Sequence, residues 1–286
     1  DTYKPSGIEW LGEIPEHWNY TRLVNLGSFT ASGIDKKIND NEEKVKIINF
    51  TDIYSNTNNL LSQEREYMEV TAPVYKVEEH QVAKGDLIFL PSSETFEDLG
   101  LSALVDEDLP NTAFSYHVIR FQFDKPFDHR FKKYLTNNYN LLNYFSSEGK
   151  GTTRKILNRD SFKNAHVPIP PLSEQTQISS YLDNKTSLID KLINNNKKLI
   201  KLLEEKRTAL INQVITKGLD PNVKMKDSGI EWIGEIPEHW KVGSLKWFSQ
   251  IYSGGTPSTS NPDYWENGNI PWVNSGAVNQ RIITKP

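Results

Sequence analysis

The sequence predicts a mixed α/β (α+β) module, a long coiled-coil-type α-helix after it, and the start of a second module homologous to the first. Three observations predict this order. Short β-branched and aromatic runs occur with helical periodicity in the first 172 residues, and a single helical pattern then runs from residue 173 to 217. The segment Ser6–Trp18 (SGIEWLGEIPEHW) also returns as Ser228–Trp240 (SGIEWIGEIPEHW), Leu11 and Ile233 being the one difference. An offset of 222 residues is too long for a solenoid repeat. It reads as the heads of two large modules.

In the first module, Val45–Phe50 (VKIINF), Asp86–Leu90 (DLIFL) and His117–Phe123 (HVIRFQF) are short, apolar or β-branched, and bounded by charged or turn-forming residues. These are expected strands. Phe131, Leu135, Tyr139, Leu142 and Phe145 recur at three- and four-residue steps behind Asp128, so one amphipathic helix is expected there, capped by Asp128 and ended by Gly149.

The long helix follows Ile169-Pro170-Pro171-Leu172. Ser173 is placed as its N-cap with Glu174 in the first turn; Lys217 falls in the last turn, Gly218 at a left-handed terminus and Pro221 beyond. Ile178, Leu182, Ile189, Leu192, Leu199, Leu203 and Leu210 follow coiled-coil spacing, and Lys185, Asn196 and Lys206 interrupt the same seam. Asn196 either fixes register against a partner helix or sits at a wet edge of a bundle. A helix of this length, about 66 Å at 1.5 Å per residue, needs a partner helix to cover that seam.

The expected organisation is therefore a first module over 1–172, a helix over 173–217, a linker over 218–227 and an incomplete second module over 228–286. Only 59 residues run from Ser228 to Pro286, against 167 from Ser6 to Leu172. So short a piece buries too little apolar surface to offset its ordering entropy unless it docks elsewhere.

Composition narrows the chemistry. The chain has no cysteine, which excludes disulfides, thiolate metal sites and cysteine nucleophiles. No apolar run of membrane-spanning length is present, so no membrane partner is expected. The net charge of −4 argues against a polyanion partner for the chain as a whole, but its distribution does not. Lys150, Arg154, Lys155, Arg159 and Lys163 stand against Asp160 alone, and the helix carries eight basic and five acidic residues. Positive charge is concentrated where a polyanion could be met. The acidic run Glu94, Glu97, Asp98, Asp106, Glu107, Asp108 reads as a solvated edge.

Taken together these residues resemble the specificity subunits of type I restriction-modification systems. The resemblance rests on the repeated SGIEWxGEIPEHW head, on Gly149-Lys150-Gly151-Thr152-Thr153-Arg154-Lys155 leading to His166-Val167-Pro168-Ile169-Pro170-Pro171-Leu172-Ser173-Glu174-Gln175, and on Lys206-Arg207-Thr208-Ala209-Leu210-Ile211 late in the helix. Ser253–Ser258 (SGGTPS), Tyr264-Trp265 and Ile270-Pro271-Trp272 look like the opening of a second recognition domain.

The resemblance implies target-recognition domains that each read half of a split double-stranded DNA target, with helices that set the spacing and dock modification (methyltransferase) and restriction subunits. It implies a subunit truncated within its second target-recognition domain, without catalysis of its own, working in a prokaryotic cytoplasm. S-adenosylmethionine, ATP and Mg are expected on the partner subunits and no cofactor on this chain. A chain with one full domain and one unpaired helix could also pair with itself through that helix.

Within that frame Lys150, Thr152, Thr153, Arg154 and Lys155 are the expected phosphate contacts, the two glycines permitting close approach. Lys36 and Lys37, Asn49, Thr51 and Asp52, Ser92 and Ser93, and Ser115 and Tyr116 lie at strand ends and are candidates for contacts to bases. For Asn49, Thr51 and Asp52, turn chemistry is the competing reading. His117 is expected to be packed rather than reading bases. The helix interface comprises Ile178, Leu182, Ile189, Leu192, Asn196, Leu199, Leu203 and Leu210.

Catalytic readings are weaker. Asn261-Pro262-Asp263-Tyr264 resembles in part an adenine-methyltransferase motif, but Asp263 replaces a proline and no glycine-rich cofactor fingerprint accompanies it. Glu204-Glu205-Lys206 lies on a helix, without the strand context a nuclease needs. The Glu-Ile-Pro-Glu-His-Trp segments offer too few ligands for a metal, and their tryptophans are expected to pack as anchors. The alternative to a DNA-reading subunit is a coiled-coil scaffold that has lost recognition.

Overall fold

The structure is a computed structural model that describes residues 2–266, 270–279 and 282. The chain divides into two compact units, Asp1–Asn196 and Lys197–Pro286. The first begins with β1 (Tyr3–Pro5), β2 (Glu13–Pro15), β3 (Asn19–Arg22), β4 (Gly27–Ala31), β5 (Glu43–Ile48), α1 (Phe50–Tyr54), β6 (Leu60–Leu61), β7 (Met68–Ala72) and α2 (Val74–His80). It continues with β8 (Leu87–Phe89), β9 (Ser92–Ser93), β10 (Ser102–Val105), β11 (Thr112–Phe114) and β12 (Ile119–Phe123). Then come α3 (Phe131–Thr136), α4 (Tyr139–Glu148), β13 (Lys155–Ile156), α5 (Arg159–Asn164) and β14 (His166–Ile169). Helix α6 (Leu172–Lys217) follows, then β15 (Met225–Asp227) and β16 (Glu235–Pro237). A mixed α/β module followed by a long helix is thus the observed architecture.

A five-stranded sheet in the order β4-β12-β8-β10-β6 forms the centre of the first unit, and a three-stranded sheet β11-β5-β7 lies beside it. The central strand β8 explains why DLIFL is apolar without alternation. Leu87 and Phe89 enter one core with Phe121, Phe145 and Phe162, while Ile88 on the opposite face joins Ile48, Ala103, Phe114 and Val118 in another. A strand covered on both faces has no polar side. Around Phe89 the rings of Phe162, Phe121 and Phe145 lie 5.5, 6.5 and 6.5 Å away in edge-on contact. A third cluster, with Ile34, Val45, Ile47 and Val70, fills the space beside the smaller sheet.

The three expected strands all exist, with their ends shifted. Phe50 leaves the first of them and opens α1, because Asp52 turns back to accept the amide N–H of Asn49 at 2.8 Å. The single helix expected over Phe131–Phe145 is two. Asn137 interrupts it by donating to the Ser102 carbonyl at 3.0 Å, and Asn138 starts α4 by accepting the Leu141 amide N–H at 3.0 Å. Phe131, Leu135, Leu141 and Phe145 are buried, whereas Tyr139 is exposed on the first turn of α4. The local hydrogen bonding of two asparagines overrides a continuous apolar period. Asn138→Ala is expected to lower stability by about 1 kcal/mol, the usual cost of a lost N-cap, read from the midpoint of urea unfolding.

Strand β3 pairs with β14, Arg22 opposite His166 and Asn19 opposite Ile169, so the chain enters and leaves the module side by side. Helix α6 starts directly from that strand. Its first free amides, on Glu174 and Gln175, donate to the Pro171 carbonyl at 2.9 and 3.0 Å, so Ser173 lies inside the helix and is not its N-cap. At the other end Gly218 takes a left-handed φ of +75°, as expected of a helix stop.

The first compact unit includes α6 as far as Asn196, and the opening turns of that helix pack on the module. Glu174 accepts the Trp18 indole N–H at 2.8 Å and lies 2.7 Å from His17 Nε2. Gln175 and Ser179 are buried and Ile178 packs against the main core. Asp128 accepts the Phe131 amide N–H at 2.9 Å, as the expected cap, and also the Ser179 hydroxyl at 2.8 Å and the Thr176 hydroxyl at 3.1 Å. One turn later Asp183 accepts the Tyr134 hydroxyl at 2.6 Å and pairs with the buried Lys133 at 3.0 Å.

In the second unit, β15 and β16 form a hairpin. Among its described residues Ile236, Pro237 and Ala277 are the buried apolar side chains, and the segment after Trp240 forms short 3-10 turns.

Candidate nucleic-acid interface

The basic loop is a closed hairpin. Lys150 and Ile156 exchange backbone hydrogen bonds at 3.0 and 2.8 Å, and Gly151 at φ +116° makes the turn, since a Cβ there would lie 2.2 Å from the Arg154 carbonyl oxygen. Gly149 serves packing instead: a Cβ would meet Leu99 at 2.4 Å and Phe96 at 2.9 Å. Both glycines shape the loop itself.

Strand β13 of this hairpin pairs with β9, setting Lys155 opposite Ser93 and Ile156 opposite Ser92. Arg154 donates from Nε to the Ser92 hydroxyl at 3.0 Å, and its guanidinium lies 5.6 Å from the centre of the Phe50 ring. Lys155 donates to the Thr152 carbonyl and lies over Phe96 at 4.8 Å. Two cations from one loop are thereby held over aromatic faces, a geometry that orders long side chains without neutralising them.

The Lys36 loop and Tyr116 adjoin the same face. The Tyr116 amide donates to the Ile34 carbonyl at 3.1 Å, and the exposed Tyr116 ring lies 3.9 Å from that of His117. Burial lowers the pKa of His117, and the charges of Lys36 and Arg154 lower it further against the opposing effect of Asp35. Lys37 pairs with Asp35 at 3.1 Å, both side chains being well exposed, so the pair contributes little to stability.

Four expected base contacts are turned inward. Asn49, Asp52, Ser93 and Ser115 are buried. The Ser115 hydroxyl donates to the Asn49 side chain at 3.1 Å, and Asp52 pairs with Arg65 at 3.2 Å besides holding the Asn49 amide. Asn49, Asp52 and Ser115 satisfy nearby backbone and side-chain partners before they face solvent, whereas the buried Ser93 hydroxyl has no hydrogen-bond partner among the described residues. Lys36, Lys37, Thr51, Tyr116, Lys150, Thr152, Thr153 and Arg154 are exposed, and Ser92 and Lys155 partly so. Sequence reading missed Phe50 and Phe96, the two rings beneath the cations; their spacing from the loop in the chain, about 100 and 60 residues, gives no local signal.

Of the expected helix interface, Ile178 belongs to the module's own core and Leu182 is partly covered. Ile189, Leu192, Leu199, Leu203 and Leu210 are all more than half exposed, and Asn196 is exposed among them. No group of three or more His, Cys, Asp or Glu side chains able to hold a metal occurs among the described residues, and no described helix is long and apolar enough to cross a membrane.

A family model described as the type I restriction modification DNA specificity domain matches residues 15–204. A Methanocaldococcus jannaschii chain named as the MjaX type I restriction enzyme specificity subunit is 26% identical over 96% of this chain and 63% of its own length. The MjaVIII specificity subunit of the same organism is 34% identical over 44% of this chain and 27% of its own. The chain therefore spans less than two thirds of the length of these relatives. The HsdS subunit from Thermoanaerobacter tengcongensis shares the fold at a TM-score of 0.50 and 12% identity, covering 76% of this chain and 48% of that one. A chain from a solved type I R-M system gives 0.53 at 14% identity, covering 72% and 47%.

Proposed function

The chain belongs to the type I restriction modification DNA specificity family, and from that premise we propose that its first unit reads one half of a bipartite DNA target. The observation that carries this reading is that Lys36 and the hairpin's Arg154 both lie close enough to His117 to act on it, beside the exposed Tyr116 ring, with Arg154 ordered by Ser92 and Phe50. The cations and the hydroxyls of Thr152 and Thr153 hold phosphates and set register, while Tyr116, Thr51 and the Lys36–Lys37 loop meet base edges.

In this reading the chain makes and breaks no bonds. Methylation with S-adenosylmethionine, and cleavage with ATP and Mg, take place on partner modification and restriction subunits in a prokaryotic cytoplasm. The exposed stripe from Ile189 to Leu210 is where modification subunits and α6 of a second copy pack. Two first units related by a twofold axis would then read an inverted, split repeat.

Coexpression with a cognate modification subunit in a methylation-free host, followed by mapping of adenine methylation by long-read sequencing, tests the proposal. A split palindromic motif is the expected result. An asymmetric split motif would keep DNA recognition but remove the self-paired arrangement. An assembled complex that methylates nothing would overturn the reading in favour of a scaffold without recognition.

A further inference from the structure

The loop that joins β4 to β5 carries an isoleucine that folding does not use. Ile38 is 77% exposed and belongs to none of the three core clusters. An isolated apolar side chain at the surface is ordinary in itself, but this one is held in place. The Thr71 amide, on β7, donates to the Lys37 carbonyl at 3.1 Å, and the Thr71 hydroxyl oxygen accepts the Asn39 amide N–H at 2.7 Å, so one residue clamps the backbone on both sides of Ile38. Glu42 completes the clamp by accepting the Thr71 hydroxyl at 3.2 Å and the Asn39 side-chain amide at 3.0 Å. The loop has its core anchor in Ile34, which is 1% exposed and whose carbonyl accepts the Tyr116 amide at 3.1 Å. Ile38 therefore stands out from a fixed backbone, and its branched Cβ leaves χ1 little freedom.

Charge says what meets it. Ile38 directly follows Lys36 and Lys37, both exposed, so the apex offers an apolar point beside two cations. Lys37 pairs with Asp35, but both side chains are well solvated, and exchanging that carboxylate for a phosphate costs little. Glu42 is engaged in the clamp, and Asp40 lies past it, in the turn closed by the Glu42 amide on the Asn39 carbonyl at 3.3 Å. An apolar pocket on another protein would have to strip water from the two ammonium groups. A DNA base step offers an apolar slot with phosphates on its flanks. The loop also adjoins the basic hairpin, since Lys36 and Arg154 both act on His117.

We infer that Ile38 is a wedge that enters between two stacked base pairs from the minor groove, with Lys36 and Lys37 on the flanking phosphates. The inference rests on the DNA reading proposed above and adds to it a deformation of the duplex. Apolar side chains inserted in this way unstack a step and kink the duplex by about 20–90° toward the major groove. Pyrimidine–purine steps such as TA unstack readily, whereas A-tracts are stiff. The loop thus selects sequence by deformability, at a position where it makes no hydrogen bond to a base.

The test needs no knowledge of the target sequence. The full chain is titrated into two duplexes of about three helical turns, one with TA steps at its centre and one with an A-tract there. Each carries 2-aminopurine in place of central adenines, a base whose fluorescence rises when it unstacks, and anisotropy of an end label reports binding. Wild type is expected to raise the 2-aminopurine signal of the TA duplex well above that of the A-tract duplex. Ile38→Ala and Ile38→Asn should lose that rise at saturating protein while keeping the wild-type dependence of log affinity on log salt, since neither removes a charge. Ile38→Leu should keep the rise. Binding by wild type without a rise, or an equal rise with Ile38→Ala, would overturn the wedge and leave the DNA reading in place; wild type that binds neither duplex at low salt would overturn both.

Discussion

The Asp128→Ala/Asp183→Ala double variant is expected to lose about 4 kcal/mol of unfolding free energy at neutral pH, roughly 2 from each site. Asp128 closes three hydrogen bonds, one to α3 and two to α6, and its removal leaves the buried Ser179 hydroxyl without that acceptor. Asp183 compensates Lys133, whose side chain is 8% exposed, and without it that ammonium must hold its charge with little solvent. Asp128 holds α6 to the module at Thr176 and Ser179, and Asp183, one turn after Ser179, holds it through Tyr134 and Lys133.

The pH dependence has a definite sign. Burial raises the pKa of Asp128, but hydrogen bonds from Ser179, the Phe131 amide and Thr176 outweigh it and hold the carboxyl below its ordinary value. Burial likewise acts against ionisation of Asp183, and the Tyr134 hydroxyl, Lys133 and Arg130 outweigh it. A lowered folded pKa contributes stability that is complete above the unfolded value of about 3.9 and disappears as pH falls through the folded value. The gap between wild type and the double variant should therefore narrow below about pH 4. Urea midpoints measured at neutral and acidic pH check this, and an equal gap at both would remove the ionised carboxylates from the account.

The second large effect concerns DNA. Lys150→Ala/Arg154→Ala is expected to reduce the dependence of log affinity on log salt by about two and to weaken binding of all duplexes about 10- to 100-fold at 0.15 M salt. On the proposed reading each cation accounts for one phosphate contact, and neither change removes a backbone group from the Lys150–Ile156 pair that closes the hairpin. Fluorescence anisotropy with cognate and unrelated duplexes across a salt series makes the measurement. An unchanged slope would place the hairpin outside the interface; a loss confined to the cognate duplex would make these residues base readers.

The helix and the main strands were legible because their signals are local. An apolar run such as Leu87–Phe89 between charged residues, or Lys217-Gly218 ahead of Pro221, needs only a few neighbours to be read. What escaped the sequence depended on partners far along the chain. The break at Asn137 follows from Ser102, the inward turn of Ser115 from Asn49, and the ordering of Arg154 from Phe50 and Ser92. The basic loop was visible as charge, but the face it shares with Lys36 and Tyr116 came only with the fold. The helix seam was visible as period, yet Ile178 was assigned to a partner helix when the module's own core claims it.

The placement of Glu174 opposite His17 and Trp18 has a consequence for the order of events during synthesis. The head is translated about 157 residues before its acceptor, so at about 5–20 residues per second it waits roughly 8–30 s. Strand β3 waits almost as long for β14. Closing so long a loop is slow compared with local strand pairing. The aromatic core around Phe89 can therefore condense before the entry strand is fixed, and nascent chains halted between Phe162 and Glu174 should expose Trp18 to protease while protecting Phe89.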